Sequence, residues 1–469
     1  SITFPGLGKF TLKYKLVGST GTPTDLGEVN VTDESKRKVI EFPAAGEYEV
    51  EASHQITGLY ARGATNRDAL ILVKQWGTAK WEKLANAFEG CGNVDIAATA
   101  GIPTLTTVKS LSRTFGQCKK LTADLKDWDV SNVEDFTAMF VSCTLFNSDL
   151  SAWNVAKAKS MTNMFSGAAK FNQDLSAWKD KLAACTKMNR MFYGCTDFEG
   201  TSLKDWDVSH VTDMSHMFEG CTVFNGDLAT WNVSAVTDMN AMFAGCSVFA
   251  ANLATWNVAK VTDMSAMFKG CRLFNSDLKT WDVSKVKNME NIFSNCYSFS
   301  FSIKDWQLTA LLTGDKKISI ENVAYNEAVV DELLTTWKAR NYKRLEIVAN
   351  GLYYSSSMGA TVAELRDNAG QYKWRLTGFN EAKAGQFKFA ERLVNMQRGE
   401  RKAMPAFEGK FLSHRVLVIE RDPEVVAQTW KTTDVTDKAK PGEYVELKEN
   451  RDIELVAIFQ KEGRTAGAG

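Results

Sequence analysis

Residues 227–251 read DLATWNVSAVTDMNAMFAGCSVFAA, and residues 252–276 read NLATWNVAKVTDMSAMFKGCRLFNS. These are two copies of one repeat, and a tryptophan holds the same place in every copy. The steps between successive tryptophans are 25, 25, 28, 25, 25, 25 and 25 residues, for Trp128, Trp153, Trp178, Trp206, Trp231, Trp256, Trp281 and Trp306. So short a period predicts stacked repeats, because one unit is too small to bury its own apolar face.

The apolar pattern predicts one short strand and one short helix in each repeat. Residues 230–233 alternate between apolar and polar side chains, which is the period of a strand. Residues 236–243 carry apolar side chains at i, i+3, i+6 and i+7, which is one face of a helix. Thr237 or Asp238 can cap its start, and Gly245 can end it. We expect the strands of successive repeats to pair in parallel, about 4.8 Å apart.

This interpretation assigns a core and an outward column to the repeats. The core takes the tryptophan, the Met-Phe pair and a small cysteine three residues later; its predicted members include Trp128, Trp153, Trp231, Trp256, Trp281, Phe243, Phe268, Cys221, Cys246 and Cys271. The residue after each tryptophan faces outward, and these positions form the candidate ligand-facing column of Asp129, Asn154, Asp207, Asn232, Asn257 and Asp282. Lys179 and Gln307 occupy the same position in two other copies.

Two functions are open to the outward column. Carboxylates and amides stacked about 4.8 Å apart could bind Ca²⁺ or the hydroxyl groups of a glycan. The alternative needs no ligand, because the same groups can hydrogen-bond to one another and to water.

The cysteines and the motif search point away from metal and enzyme chemistry. Eight of the nine cysteines hold the repeat position, and no Cys-x-x-Cys occurs, so zinc is not expected. A column of small buried thiols is favoured over a ladder of disulfides. His-Glu-x-x-His, Gly-x-Ser-x-Gly and the P-loop motif are also absent. The sequence therefore predicts no catalytic residue, no metal site and no cofactor.

Charge and hydropathy limit the partners. The chain of 469 residues has 56 basic and 56 acidic residues and shows no basic stripe, so nucleic acid is not an expected partner. No apolar run reaches the 18 or so residues that cross a bilayer. The start at Ser1 lacks a signal-peptide pattern. We therefore expect cytoplasmic synthesis, and the alternative is a mature end left by signal-peptide cleavage.

The segments on either side of the repeats differ from them in pattern. Residues 1–75 are predicted to form an N-terminal β-sandwich-like domain, because residues 10–16 and 48–52 alternate between glycine-rich turns. The repeats are assigned to residues 76–312. An α/β cap with an amphipathic helix is predicted for 313–378, and a C-terminal β domain for 379–469.

The repeat motif Trp-(Asp/Asn)-Val-Ser-x-Val-Thr-x-Met-x-x-Met-Phe-x-Gly-Cys-x-x-Phe-Asn-x-Asp-Leu resembles a bacterial surface-protein repeat family of about 25 residues, related to BspA-like leucine-rich repeats. The resemblance covers residues 76–306. It implies a right-handed solenoid with a role in adhesion or recognition, in surface lipoproteins or in bacteriophage structural proteins, and it implies no catalytic residues. The copy after Trp178 departs from the motif, and we expect a bulge at residues 180–186.

These observations predict a multidomain α+β protein whose central leucine-rich-repeat-like solenoid is flanked by β domains. The expected function is non-enzymatic recognition by a virion component on the virion surface: a phage tail-fibre, receptor-binding or capsid-decoration subunit. The alternative is a secreted bacterial adhesin at the extracellular cell surface. Expected partners are other virion proteins or a second copy, and a host surface glycan or protein, without membrane insertion. A glycan-cleaving enzyme is a third hypothesis, for which no carboxylate pair can be selected.

Overall fold

The computed structural model describes residues 1–53, 55–313 and 317–381, with all side chains except that of Glu34, and the backbone of six strands between residues 387 and 461. It divides into two compact units. The first is Ser1–Cys271 with Thr280–Val286, and the second is Arg272–Lys279 with Lys287–Gly469.

The first unit begins with antiparallel sheet structure. Strand β1 (Ile2–Thr3) pairs with β4 (Val39–Ile40), and β2 (Gly6–Leu16) lies between β3 (Thr24–Val31) and β5 (Tyr48–Ala52), with β6 (Ile56–Leu59) also on β2. Short 3₁₀ helices cover Glu34–Lys36 and Arg67–Ala69, and β7 (Leu72–Val73) pairs in parallel with β8 (Asp95–Ile96). Apolar side chains of the sheet are buried, among them Phe10 and Leu12.

The repeats that follow are stacked coils made of turns. Residues 97–271 are all described, and they contain two 3₁₀ helices (Ser176–Trp178 and Thr201–Leu203), isolated parallel bridges, and neither an α-helix nor a strand. The predicted leucine-rich-repeat solenoid, with one strand and one helix per repeat, is therefore wrong. We call each repeat of the stack a coil.

The predicted helix fails because of one left-handed residue in every coil. The residue before each Met-Phe pair has a φ of 50–57°, at Ala138, Asn163, Arg190, His216, Ala241 and Ala266. A residue in this region cannot continue a right-handed helix. In the coil of Trp231, alternate backbone N–H groups instead donate to carbonyls of the next coil, at 2.7–3.0 Å, from Met239, Ala241, Phe243 and Gly245 to Asp263, Ser265, Met267 and Lys269.

The segment predicted as a strand is a turn. The N–H of Trp231 donates to the Leu228 carbonyl at 3.1 Å, and that of Val236 donates to the Val233 carbonyl at 2.9 Å. Parallel pairing between coils does occur, but in the segment predicted as a helix, where Asp213, Asp238 and Asp263 are bridged in succession. We call this row of coil-to-coil hydrogen bonds the ladder.

Two aromatic patterns fill the core of the first unit. The phenylalanines of the Met-Phe position stack nearly parallel, with centroids 5.5–5.9 Å apart, through Phe88, Phe115, Phe140, Phe165, Phe192, Phe218, Phe243 and Phe268. From Trp153 to Trp281, each repeat indole Nε1–H donates to a leucine carbonyl of the preceding coil, as from Trp231 to Leu203 at 2.8 Å and from Trp256 to Leu228 at 2.9 Å. The tryptophan polar group is thus satisfied inside an apolar core.

The second unit contains the same contacts and then changes to an α/β arrangement. The Trp306 indole donates to the Leu278 carbonyl at 3.0 Å. A 3₁₀ helix at Leu311–Thr313 precedes a parallel sheet of β9 (Lys317–Ser319), β10 (Glu346–Val348) and β12 (Arg375–Thr377), in the order β12-β10-β9. Strand β11 (Tyr353–Tyr354) pairs in parallel with β13 (Asn380–Glu381).

Two α-helices belong to this part. Helix α1 (Glu327–Ala339) is capped by Asn326, which accepts the Val329 N–H, and it buries a face that includes Leu333 and Trp337. A 3₁₀ helix (Ser356–Met358) leads into α2 (Gly359–Arg366).

The strands nearer the C-terminus form antiparallel sheets. The larger sheet has the order β14-β19-β16-β17, from Phe387–Met396, Ile453–Lys461, Phe411–Arg421 and Trp430–Asp434. Strands β15 (Arg401–Ala403) and β18 (Tyr444–Glu446) pair separately.

Candidate functional site

The predicted ligand-facing column consists of turn-forming side chains. All six members are exposed, and each side-chain oxygen accepts the backbone N–H two residues later at 3.0–3.2 Å, in Asp129, Asn154, Asp207, Asn232, Asn257 and Asp282. Such Asx turns are a local backbone role. The serine two residues later also hydrogen-bonds to the aspartates, which lowers the pKa of Asp129, Asp207 and Asp282.

Two further Asx turns occur in the coils, so that three turns bend a regular coil. In one set, the backbone N–H two residues later donates at 2.8–3.1 Å to the side-chain oxygen of Asp124, Asp149, Asp174, Asp227, Asn252 and Asp277. In the other set, the same kind of hydrogen bond, at 2.8–3.1 Å, is accepted by the side-chain oxygen of Asp135, Asp213, Asp238, Asp263 and Asn288. The sequence predicts Thr237 or Asp238 as a helix cap; in the structure Asp238 instead closes one of these turns. The signal that identifies all three sets is an Asp or Asn that recurs at three fixed places in the 25-residue period.

The side chains above the ladder form a second surface of the first unit, which we call the ladder face. Its bridged positions are Ser110, Asp135, Ser160, Lys187, Asp213, Asp238 and Asp263. Hydroxyl and amide groups beside them connect neighbouring coils, as between Thr162 and Asn189 at 2.7 Å and from Asn240 to the Ser265 carbonyl at 3.0 Å. Because the ladder holds the backbone, these side chains are spaced at about 4.8 Å, the separation of paired strands.

Three carboxylates follow one another on the ladder face, after Lys187, which is bridged to the first of them, Asp213. Asp238 lies between Asp213 and Asp263 and is half-buried. Burial raises the pKa of Asp238, and the charges of Asp213 and Asp263 raise it further, against the opposing hydrogen bond from Asn240. His216 lies beside this row and pairs with Glu219. In the described part of the chain, no group of three or more His, Cys, Asp or Glu residues could hold a metal ion.

The structure places the predicted core residues inside the coils. The tryptophans at 128, 153, 231, 256 and 281 are 0–4% exposed, and the named phenylalanines and cysteines are fully buried. The cysteines also donate hydrogen bonds: the thiols of Cys221, Cys246 and Cys271 reach phenylalanine carbonyls of the preceding coil at 2.8–3.0 Å. Burial raises the pKa of the Cys91 thiol to about 12 and that of Cys185 to about 11.

One coil of the first unit breaks the regular pattern. This irregular coil, residues 178–206, is three residues longer than its neighbours. In the region of the expected bulge, the chain turns where the Lys181 N–H donates to the Trp178 carbonyl at 2.8 Å, and again where the Cys185 N–H donates to the Leu182 carbonyl at 2.9 Å.

A groove lies beside Gly200, at the end of the irregular coil where its last extra residue is inserted. Gly200 has a φ of 73° and precedes the 3₁₀ helix Thr201–Leu203, which replaces the Asx turn found in other coils. A Cβ added at Gly226 of the next coil would lie 2.5 Å from the Gly200 carbonyl oxygen, so the two coils meet through glycine. The groove has a volume of about 390 Å³ and is lined by Asn172, Gln173, Asp174, Ser176, Phe198, Glu199, Gly200, Thr201 and Ser202.

The coils match a known family of repeat proteins. The family described as "Mycoplasma protein of unknown function, DUF285" matches four overlapping stretches, residues 82–199, 109–229, 186–306 and 214–337. Together they extend from residue 82 to residue 337, more than half of the chain. The chain belongs to this family. The match agrees with a repeat surface-protein family, but it does not confirm the finer resemblance to BspA-like leucine-rich repeats.

No curated protein and no solved structure matches this DUF285 chain. Among the described residues, no helix has the length and apolar character needed to cross a bilayer.

Proposed function

We propose that this DUF285 protein is a non-enzymatic recognition protein displayed on a surface, and that its ladder face binds a partner. The observation that carries the proposal is the row of Asp213, Asp238 and Asp263. These carboxylates stand on consecutive coils and are half-buried, and the central one, Asp238, is close enough to the charges of the other two for them to raise its pKa. A partner with basic groups at matching positions would relieve their repulsion.

The ladder face suits this role better than the outward column. In the column, one oxygen of each aspartate accepts an N–H of its own turn, at Asp129, Asp207 and Asp282. Their lowered pKa values reflect a negative charge that is already stabilised locally. The central carboxylate of the ladder face also closes a turn, yet the pKa of Asp238 is raised.

Two settings are proposed. The first is a virion component such as a phage tail-fibre, receptor-binding or capsid-decoration subunit, with other virion proteins or a second copy as neighbours and a host glycan or protein as the target. Buried thiols that donate to carbonyls favour this setting, because a chain built around thiols fits assembly in a reducing cytoplasm. The second is a bacterial surface adhesin, which the Mycoplasma family description and the proposed kinship with BspA-like surface proteins, carried by the shared motif, favour.

Localisation separates the two settings. An antibody raised against the purified protein is applied to intact source cells and to virus particles purified from the same culture, and bound antibody is counted by immunogold microscopy. Labelled particles support the virion setting, and labelled cells support the adhesin. If neither surface is labelled, the proposal of surface display is wrong.

A matched pair of variants tests the ladder face itself. Asp238→Asn and Asp282→Asn each remove one charge and keep a side-chain oxygen for the turn. We expect Asp238→Asn to weaken binding to the labelled surface about tenfold, as loss of a charged hydrogen bond does, and Asp282→Asn to leave it unchanged. Equal effects would contradict the assignment of the ladder face.

A further inference from the structure

The groove of the irregular coil is a polar cavity of a size that holds a small ligand. Its volume of about 390 Å³ falls at the lower end of known ligand sites, which span roughly 300–1,000 Å³. Most such sites are apolar. Here eight of the nine lining residues are polar or glycine, and the ninth, Phe198, is buried.

Asp174 of the groove differs from two of its counterparts in other coils. Asp149 forms an ion pair with Lys126 of the preceding coil at 2.6 Å, and Asp227 forms one with Lys204 at 2.9 Å. At Asp174 the corresponding position of the preceding coil is Ser151. Among the described residues, neither Asp174 nor Glu199, the second carboxylate of the groove, forms an ion pair.

Hydrogen-bonding capacity also remains in the groove. Asp174 uses one oxygen to accept the Ser176 N–H at 2.8 Å, and Glu199 accepts the Asn172 amide with one oxygen at 3.4 Å. Within the described part of the chain, the side chains of Gln173 and Thr201 make no hydrogen bond. The groove therefore offers carboxylate acceptors, an amide and a hydroxyl at one place.

A second cavity among the described residues has a comparable size and different polar groups. It measures about 440 Å³ and lies beside Trp128. Three carboxylates line it, those of Asp95, Asp124 and Asp127. Asp95 accepts hydrogen bonds from the Thr122 N–H and hydroxyl and from the Ala123 N–H, at 2.6–3.0 Å. The hydroxyl of that cavity, on Thr122, is taken up by Asp95, whereas the described side chains of Gln173 and Thr201 leave an amide and a hydroxyl open beside the carboxylates of the groove.

We propose that this groove binds a neutral sugar residue of a surface glycan. Sugar hydroxyls donate to carboxylate oxygens, and they both donate to and accept from amides and hydroxyls. The two uncompensated carboxylates exclude acidic sugars by repulsion. This inference rests on the proposed function, because it names the chemical class of one surface ligand.

Saturation-transfer NMR with free sugars tests the groove. The full chain is titrated with glucose, galactose, N-acetylglucosamine and N-acetylneuraminic acid. We expect at least one neutral sugar to bind in the millimolar range and the acidic sugar to show no transfer. If none of the neutral sugars receives saturation, the inference is overturned.

Matched variants place the binding in the groove. Asp174→Asn and Asp227→Asn both lose one charge and keep the turn acceptor, but only Asp174 lines the groove. We expect Asp174→Asn and Glu199→Gln to weaken sugar binding about tenfold, the usual effect of losing a charged hydrogen bond. Asp227→Asn should leave it unchanged. Circular dichroism verifies that each variant is folded, and equal affinities for Asp174→Asn and Asp227→Asn would refute the site.

The two proposals fail in different ways. If the wild-type protein labels its surface but no neutral sugar binds, the groove inference fails and surface recognition stands. If a neutral sugar binds in the groove but the protein is found on no surface, the proposed function fails and the sugar site stands.

Discussion

The regular coil of residues 231–256 and the irregular coil of residues 178–206 have the same core and different surfaces. Phe192 of the irregular coil still stacks 5.5 Å from Phe165 and 5.7 Å from Phe218, as in the regular part. The three extra residues are taken up by turns and by the glycine contact at Gly200. The ladder and the aromatic stack thus set the period, and the turns tolerate insertions that create new surface.

The largest expected effect comes from removing a ring of the aromatic stack. Phe249→Ala, at the position in a regular coil that corresponds to Phe198, leaves a closed cavity and should lower the free energy of unfolding by about 3–5 kcal/mol. Phe198→Ala should cost less, because Phe198 borders the groove and water can fill the space. Urea midpoints followed by tryptophan fluorescence measure both. Equal losses would mean that the two coils are packed alike.

The next largest effect comes from replacing glycine, and it should differ between two glycines that have similar backbone angles. A Cβ at Gly200, where φ is 73°, would overlap the Phe224 ring, whereas a Cβ at Gly245, where φ is 78°, would lie 3.6 Å from the Gly220 Cα. Gly200→Ala should therefore destabilise by about 3 kcal/mol through strain and overpacking, and Gly245→Ala by about 1 kcal/mol through strain alone. Thermal unfolding of the two variants compares them. The glycine contact is not needed if Gly200→Ala is the milder change.

A smaller effect on stability is expected at the left-handed residue of the ladder, where a substitution by glycine should stabilise the protein. Ala241 has a φ of 50°, and Ala244 is not left-handed. Ala241→Gly relieves strain and should stabilise by about 0.5 kcal/mol, after the entropy that glycine adds to the unfolded chain. Ala244→Gly should destabilise by about 0.5–1 kcal/mol. Urea titration gives both signs. Destabilisation by both variants would indicate a helix in this segment.

The smallest expected effect compares the ladder face with the outward column across pH. The folded pKa of Asp238 is raised above its ordinary value of 3.8, so its ionisation opposes folding, and this cost grows as the pH rises from 3.8 and is complete above the folded pKa. The pKa of Asp282 is lowered, so its ionisation favours folding above 3.8 and is lost as the pH falls through the folded pKa.

At pH 7, Asp238→Asn should therefore raise stability slightly, and Asp282→Asn should lower it slightly. Both differences should fade in acid, where the wild-type carboxyls are protonated. Unfolding midpoints at several pH values measure the trend. Shifts in the same direction for both variants would show that the two rows share one electrostatic environment.

The sequence predicts the stack and its core but misjudges the backbone of each coil. The 25-residue period and the recurrent tryptophans suffice to assign the buried side chains, because stacking repeats apolar positions at fixed intervals. The helix was predicted because Met-x-x-Met-Phe spacing fits a helical face and Ala241 belongs to a strong helix-forming type. Only the hydrogen bonds supplied by the next coil make a left-handed alanine tolerable, and that partner lies about 25 residues away.

The candidate sites show the same division. The residues of the outward column are exposed, but the N–H group that occupies Asp129 or Asn232 comes from the local turn. The 28-residue step between two tryptophans predicts an irregular coil. The groove, however, depends on the position in the coil at which the extra residue beside Gly200 is inserted. That position follows from the contact between Gly200 and Gly226, which the spacing of residues cannot reveal.

Donation in opposite directions has a consequence for synthesis on the ribosome. Backbone N–H groups of one coil donate forward, as from Phe243 to Met267, while the indole of Trp256 and the thiol of Cys271 donate backward to Leu228 and Phe243. Each newly emerged coil can dock at once on a finished one, but its own forward donors stay open until the next 25 residues have been translated. The stack therefore grows from the N-terminal coils towards the C-terminal ones. At each stage the backbone N–H groups of the last coil are the ones that still lack carbonyl partners.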